Sequence, residues 1–354
     1  METDPGGAVG IAVGDAGIDD TTGVALCAAP KNAADLDLVV YHEDPHNKLS
    51  RSLATSLARW PQSLRSFLLS AKDAAMSGLK IHFDISRQIG IDARKVIFAP
   101  HHMSHASLAF LSSPFEEAAV MTIDAVGEWT SSAIFRASRK GGELTLEPIH
   151  VSPFPHSLGL FYSSITSYLG FRVNDGECST MALAAFGRPR FLEEMRKIVR
   201  IKPDGDHELD LSYLDFRSDT QLPVSDKFLA TFGRNRSYKS RLPFDAMGAK
   251  GSVPDEESQR YADVAASAQA VLEEAILAYA RKARELTGFK RLCYAGGVAL
   301  NCVANGKLDA SGIFESVFVP VDPGDGGAAL GAALYVAGLR GQTSFSGSAH
   351  PYHG

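Results

Sequence analysis

The chain has only four cysteines, Cys27, Cys178, Cys293 and Cys302, and none of them form a CxxC pair. That excludes a disulfide framework or cysteine-bound structural zinc and fits a reducing cytoplasm. Long apolar runs are missing too, since nothing approaches the ~20 residues of a spanning helix. The first 20 residues hold no lysine or arginine, so the charged start of a secretory signal is absent. Positive charge is not in excess: 35 Lys and Arg against 41 Asp and Glu leave a formal charge of -6. That argues against a general nucleic-acid binder. Neither GxGxxG nor a Walker loop occurs, which disfavours dinucleotide and P-loop enzymes.

What is present is the composition of a globular protein with a sizeable core, 45% hydrophobic and 21% charged over 354 residues, long enough for two lobes. Residues 1–34 read as a loose arm with one short strand at Gly10–Val13. Strands are expected at Leu36–Glu43, Val96–Ala99 and Ala118–Ile123, the last ending at Asp124, with antiparallel partners at Ser132–Arg136 and Leu144–Ile149. Helices are expected over roughly 47–77, 101–110, 157–171 and Tyr261–Leu286, the last closed by Gly288. Residues 174–187 read as a Gly-punctuated loop and 188–250 as an irregular, basic insertion. The C-terminal part alternates strand, Gly-rich loop and helix.

Two constellations carry chemistry. His101 and His105 stand one helical turn apart and can aim at one ion. Asp124 at a strand end and Asp325 in a Gly-rich turn are carboxylates that burial would make costly unless paired or metal-bound. Two His and two Asp suit Fe(II), Zn(II) or Mn(II). The bland readings are a polar helix face for the histidines and turn or helix caps for the aspartates. The second constellation is a pair of strand–loop–helix turns, Gly296-Gly297 through Asn301 and Gly324 through Gly327, whose amides suit a phosphate. Here the bland reading is two tight turns.

With these residues in view, the sequence resembles the O-carbamoyltransferases of nodulation-factor and antibiotic biosynthesis. Their main domain is similar to the tRNA threonylcarbamoyl-transferring enzymes. The motifs are HHMSHASLAF (101–110), TIDAVGEW (122–129), FPHSLGLFYSSITSYLGF (154–171), GECSTMALAAFG (176–187), AGGVALNCVANGKL (295–308) and PGDGGAALGAAL (323–334). The resemblance implies an α/β, actin-like two-lobe fold, shared with sugar kinases and heat-shock ATPases, with an incomplete first lobe. The divisions would be an arm at 1–34, a partial first lobe at 35–116, a second lobe with closing helix at 117–338 and a linker-like tail at 339–354.

The resemblance also implies a divalent metal, Fe(II) before Zn or Mn, on His101, His105, Asp124 and Asp325. His101, His105 and Asp124 form the implied catalytic group. ATP or carbamoyl-adenylate would lie along Gly127, Glu128, Gly296, Gly297, Asn301 and Gly324. The implied reaction moves a carbamoyl group from carbamoyl-adenylate to a hydroxyl of a sugar or natural-product acceptor. The donor would be made from carbamoyl phosphate and ATP by a separate domain or partner, because SAHPYHG (348–354) resembles the linker to that domain.

Several departures leave a catalytically inactive nucleotide- and metal-binding remnant, or an adapter for a partner domain, as alternatives. The family's first-strand His-Asp-Ser segment is not found. Ala125, Ser179, Ala182 and Ala185 stand where the family usually has Gly, Lys, Gly and Pro. The basic stretch Arg234, Arg236, Lys239, Arg241 reads as a phosphate or acidic-substrate grip or as a solvated loop. A homodimer stays open, no membrane or nucleic-acid partner is expected, and the expected location is the cytoplasm.

Overall fold

The computed structural model describes residues 11–14, 23–26, 36–58, 60, 80–216, 222–240, 242–243 and 255–341. The expected helix over 61–77, Cys27, Arg241 and the 342–354 tail lie outside them. Two mixed sheets organise the described residues. The first has the order β2-β1-β3-β4, from β1 (Ile11–Gly14), β2 (Gly23–Leu26), β3 (Val39–Tyr41) and β4 (Val96–Phe98). The second has the order β11-β10-β5-β6-β7, from β5 (Glu117–Gly127), β6 (Thr130–Ser138), β7 (Thr145–Pro153), β10 (Arg291–Ala295) and β11 (Ser316–Phe318).

Both sheets follow one plan. A central strand, β1 or β5, pairs antiparallel with the next strand on one side and parallel with a crossover strand on the other. A second parallel strand, β4 or β11, then closes that edge. The stretch expected as a loose arm therefore contributes two strands, not one, and β1 is the centre of the first sheet's pattern. The signal there is weak because each strand has only four residues and the flanks are Gly- and Asp-rich.

Helices α1 (Pro45–Leu57), α2 (Ile81–Ile89), α3 (His101–Leu111), α4 (Leu158–Tyr168) and α5 (Glu177–Ala184) follow in chain order. The remaining helices are α6 (Leu192–Ile198), α7 (Asp226–Phe232), α8 (Glu256–Thr287), α9 (Cys302–Ala310) and α10 (Asp325–Leu339). The period-2 alternation of β5 sorts its two faces. Ala119, Met121 and Ile123 enter a core with α4 and α8, whereas Ala118 and Val120 enter one with Ala106, Ala109 and Phe110 of α3 and Leu334 of α10. Helix α10 turns Ala329, Ala332, Ala333 and Val336 towards Val40 of the first sheet. The other face of that sheet packs Val39 and Tyr41 with Ile85 of α2. The layers thus run α4/α8, second sheet, α3/α10, first sheet, α2.

Two expectations are corrected. Residues 177–184, read as a loop because of nearby glycines, form α5. The 188–250 insertion is not irregular throughout: it holds α6, α7 and a two-stranded sheet, β8 (Val199–Ile201) with β9 (His207–Leu209). Met195, Ile198, Leu209 and Phe228 bury themselves in the main core. These elements are too short to show a period, so tertiary packing decided them. No described helix is long and apolar enough to cross a membrane.

The layer between the sheets tolerates no bulk. A Cβ on Gly331 would overlap the carbonyl of Ser104, and one on Gly327 would lie 2.8 Å from Leu108 Cδ2. Gly331→Ala should therefore lower unfolding stability by about 1–3 kcal/mol in urea denaturation; an unchanged midpoint would refute the close crossing. A second test concerns His207, fully enclosed in the insertion, where burial pushes its pKa down to about 4. Below the unfolded value of about 6.5 the unfolded chain takes up a proton that the folded chain refuses, so stability is full above that pH and declines towards 4. Going from pH 7 to pH 5 should cost about 2 kcal/mol from this residue. His207→Gln should lose correspondingly less than the wild type over that range.

Candidate metal centre and adjoining cavity

Helix α3 is buried on nearly every side, so its polar residues must find partners within the protein. Residues 122 and 124 of β5 continue the face that packs against α3. Accordingly His102 Nδ1 meets Thr122 Oγ1 at 2.8 Å while its Nε2 meets the Thr130 carbonyl at 2.9 Å. Burial pushes the His102 pKa down to about 3, which leaves a neutral ring bridging two strands. His102 points away from the site, as its position predicts.

One turn of the same helix delivers His101 and His105. His101 Nε2 lies 2.7 Å from Asp124 Oδ2 and 3.1 Å from His105 Nε2. Asp325 Oδ1 lies 3.2 Å from His105 Nε2 and 3.6 Å from His101 Nε2. Asp124 is not at the end of its strand, as expected, but at a bulge in it, after Ile123 and before the pairing resumes at Gly127. The bulge is pinned from α4: Ser157 Oγ donates to the Ala125 carbonyl at 2.5 Å and accepts the Leu160 N–H at 3.0 Å. Asp325 is the first residue of α10 rather than part of a turn.

One ligand atom from each of His101, His105, Asp124 and Asp325 falls within 4.8 Å of all the others. A tetrahedral ion with bonds of about 2.1 Å holds its ligands roughly 3.4 Å apart. The separations just given bracket that spacing, so the four residues fit a divalent cation. The electrostatics agree. Burial alone would lower the His105 pKa, but hydrogen bonds to Asp124 and Asp325 and their charges overcome it and push it up to about 10. Burial opposes ionisation of Asp124 and Asp325 as well, yet the facing imidazoles hold both below the usual carboxylate range. This cluster demands positive charge at its centre.

The glycines around the centre also shape it directly. The ring of His101 lies where a Cβ on Gly127 would stand. Gly297 N–H donates to Asp124 Oδ1 at 2.9 Å, orienting the carboxylate so that Oδ2 faces the histidines. Gly296 has φ 97° and sits against the Ile123 backbone. Glu128 Oε1 accepts the Asp44 N–H at 3.0 Å and the His101 N–H at 3.4 Å. Asn301 caps α9 by accepting the Ala304 N–H at 3.0 Å and exchanges amide hydrogen bonds with Gln269 at 2.8 and 3.0 Å.

A cavity of about 610 Å³ opens beside the centre. Asp124, Asp325, Gly297, Asn301 and Gly324 border it, whereas Gly127, Glu128 and Gly296 do not. Sequence reasoning missed Tyr162, Ser163, Asp175, Glu177, Cys178 and Met181, which also line it. It also missed His42, whose ring centroid is 5.5 Å from that of His101. The run His42-Glu43-Asp44 directly after an apolar strand was the available signal. The basic stretch is brought to no anionic partner at Arg236, whose guanidinium instead donates to the Leu169, Gly170 and Ser240 carbonyls.

Comparison with known proteins supplies the relationship. A family model described as Carbamoyltransferase N-terminus matches residues 9–334. The chain belongs to this family. The match takes in β1 and β2, ahead of the partial first lobe expected from residue 35. Among its relatives, an uncharacterised Synechocystis protein is 36% identical over 327 residues, covering 89% of this chain and 50% of the relative. Nodulation protein NolNO of Sinorhizobium fredii is 32% identical over 319 residues, covering 88% of this chain and 40% of the relative. The chain thus spans half or less of these proteins' lengths. The T. kodakarensis HypF crystal structure aligns with 95% of the chain at 15% identity, with a TM-score of 0.40.

Because Asn301 is both cap and amide partner, Asn301→Ala should cost about 1–3 kcal/mol of stability with no ligand present. Thermal or urea unfolding of the purified variant measures this, and an unaltered transition would return Asn301 to a purely ligand-facing role.

Proposed function

We propose that this chain carries the transfer site of an O-carbamoyltransferase. It would move a carbamoyl group from carbamoyl-adenylate to a hydroxyl of a sugar or natural-product acceptor. The donor would be made from carbamoyl phosphate and ATP by a further domain or partner. One observation carries the reading beyond family membership: four ligand atoms converge, and two of their residues, Asp124 and Asp325, border a cavity with room for a donor. The shared plan of the two sheets, with α3 and α10 between them, supports an actin-like two-lobe fold.

His101, His105, Asp124 and Asp325 would hold a divalent cation, iron in our reading, with zinc or manganese as alternatives. When bound, such an ion polarises a carbonyl oxygen and stabilises the negative charge that develops there. The chain's own residues do the rest. Gly297 fixes the Asp124 carboxylate, and the enclosed imidazoles keep their Nε2 atoms on the centre. The Gly297–Leu300 turn and Gly324, both at the cavity, would meet the adenylate. Attack by the acceptor hydroxyl on the carbamoyl carbon forms the new C–O bond. It breaks the bond to the adenylate phosphate, releasing AMP and one proton. Glu177, half-buried in the cavity lining, would receive that proton.

A non-catalytic remnant or adapter is the second reading, favoured by the cavity's charge. Its described lining includes Asp124, Asp175, Glu177 and Asp325 and no lysine or arginine. One experiment separates the two. Metal analysis of the purified chain should find about one equivalent, and His105→Ala should weaken metal affinity at least ~100-fold. Metal-loaded protein given synthetic carbamoyl-adenylate and hydroxylated acceptors should then yield a carbamate. Bound metal with no product across acceptors would decide for the remnant.

A further inference from the structure

Helix α3 carries both candidate histidines, yet it begins without a cap of its own. Its N-cap is Pro100, which has no side-chain hydrogen bond to offer, and only the Ser104 N–H turns back to the Pro100 carbonyl. The first N–H groups of a helix are donors that need an acceptor, and a carboxylate there is favoured by the helix dipole. Glu128 supplies one from a distant element. It sits in the β5–β6 turn with φ 54°, a backbone conformation that a glutamate rarely adopts. The preceding Gly127 gives up its Cβ space to the His101 ring.

The same Glu128 oxygen also accepts the Asp44 N–H, just beyond β3 of the first sheet. Asp44 is itself the cap of α1, its Oδ1 accepting the His46 N–H at 2.9 Å. A single carboxylate oxygen therefore joins the first helix of one lobe to the ligand-bearing helix between the lobes. The strained turn holds it there.

We propose that Glu128 is a positioning residue that clamps the first sheet's β3–α1 turn onto the N-terminus of α3, so that lobe closure and the setting of His101 are one event. Nothing in this needs Glu128 to touch a donor or a metal, and for that reason it goes beyond the transfer reading.

The test is amide hydrogen exchange on the metal-free full chain. It compares wild type with Glu128→Ala and Glu128→Gln, the latter keeping the accepting oxygen. In Glu128→Ala, the segments 42–47 and 101–105 should both exchange at least ~10-fold faster, although they are far apart in sequence. Glu128→Gln should stay within about threefold of wild type at both. If Glu128→Ala does not fold, Glu128→Asp, shorter by one methylene, takes its place with the same expectation. Acceleration at one segment alone, at neither, or equally in Glu128→Gln overturns the proposal. A second arm measures metal affinity: Glu128→Ala should bind Fe(II) or Zn(II) about tenfold more weakly and Glu128→Gln nearly as well as wild type. Because the exchange arm uses no metal, a wrong metal assignment would leave its outcome untouched.

Discussion

The close passage of α3 across α10 is the contact on which the rest depends. Gly331 and Gly327 let the two backbones approach, and alanines at 329, 332 and 333 keep α10 narrow enough to lie between two sheets. That approach carries Asp325, the first residue of α10, to within 3.2 Å of His105. A side chain one methyl larger at Gly331 would push the helices apart and take one carboxylate out of reach. Helix packing here sets chemistry, because the candidate ligands stand on the packed elements themselves.

The centre is also an exercise in polar satisfaction. His101, His105 and Asp124 are enclosed while the Asp325 side chain is about half exposed, and each imidazole Nε2 and each carboxylate finds a partner in the cluster or in a backbone amide. Gly297 donates to Asp124, and the neutral His102 ties β5 to β6 beside it. Two glycines of the site make room for the protein's own groups: the His101 ring at Gly127 and the Ile123 backbone at Gly296. The same residue type can make room for a ligand, and only the neighbours distinguish the two purposes.

The two sheets repeat one strand plan, but the second is larger and carries the long α8 and the insertion on its outer face. The first sheet contributes little chemistry beyond the His42–Asp44 turn. Its importance is mechanical, since it covers α10 and reaches the centre through Glu128.

By itself the sequence determined which residues could share a cation. An i, i+4 histidine pair on a helix and two aspartates following apolar strands are local patterns, and local patterns survive in one dimension. It also determined most longer elements, such as α8 with its Gly288 stop and the β5–β6–β7 meander, whose periods are long enough to read. Tertiary structure alone decided the short pieces: β2, α5, and the insertion's two helices and small sheet. Three to eight residues do not contain enough of a period to outvote nearby glycines. Only the fold could decide that Asn301 is a cap, that Arg236 serves carbonyls, and that Glu128 joins the β3–α1 turn to the start of α3. Those roles are contacts between residues far apart along the chain, and no spacing rule encodes them.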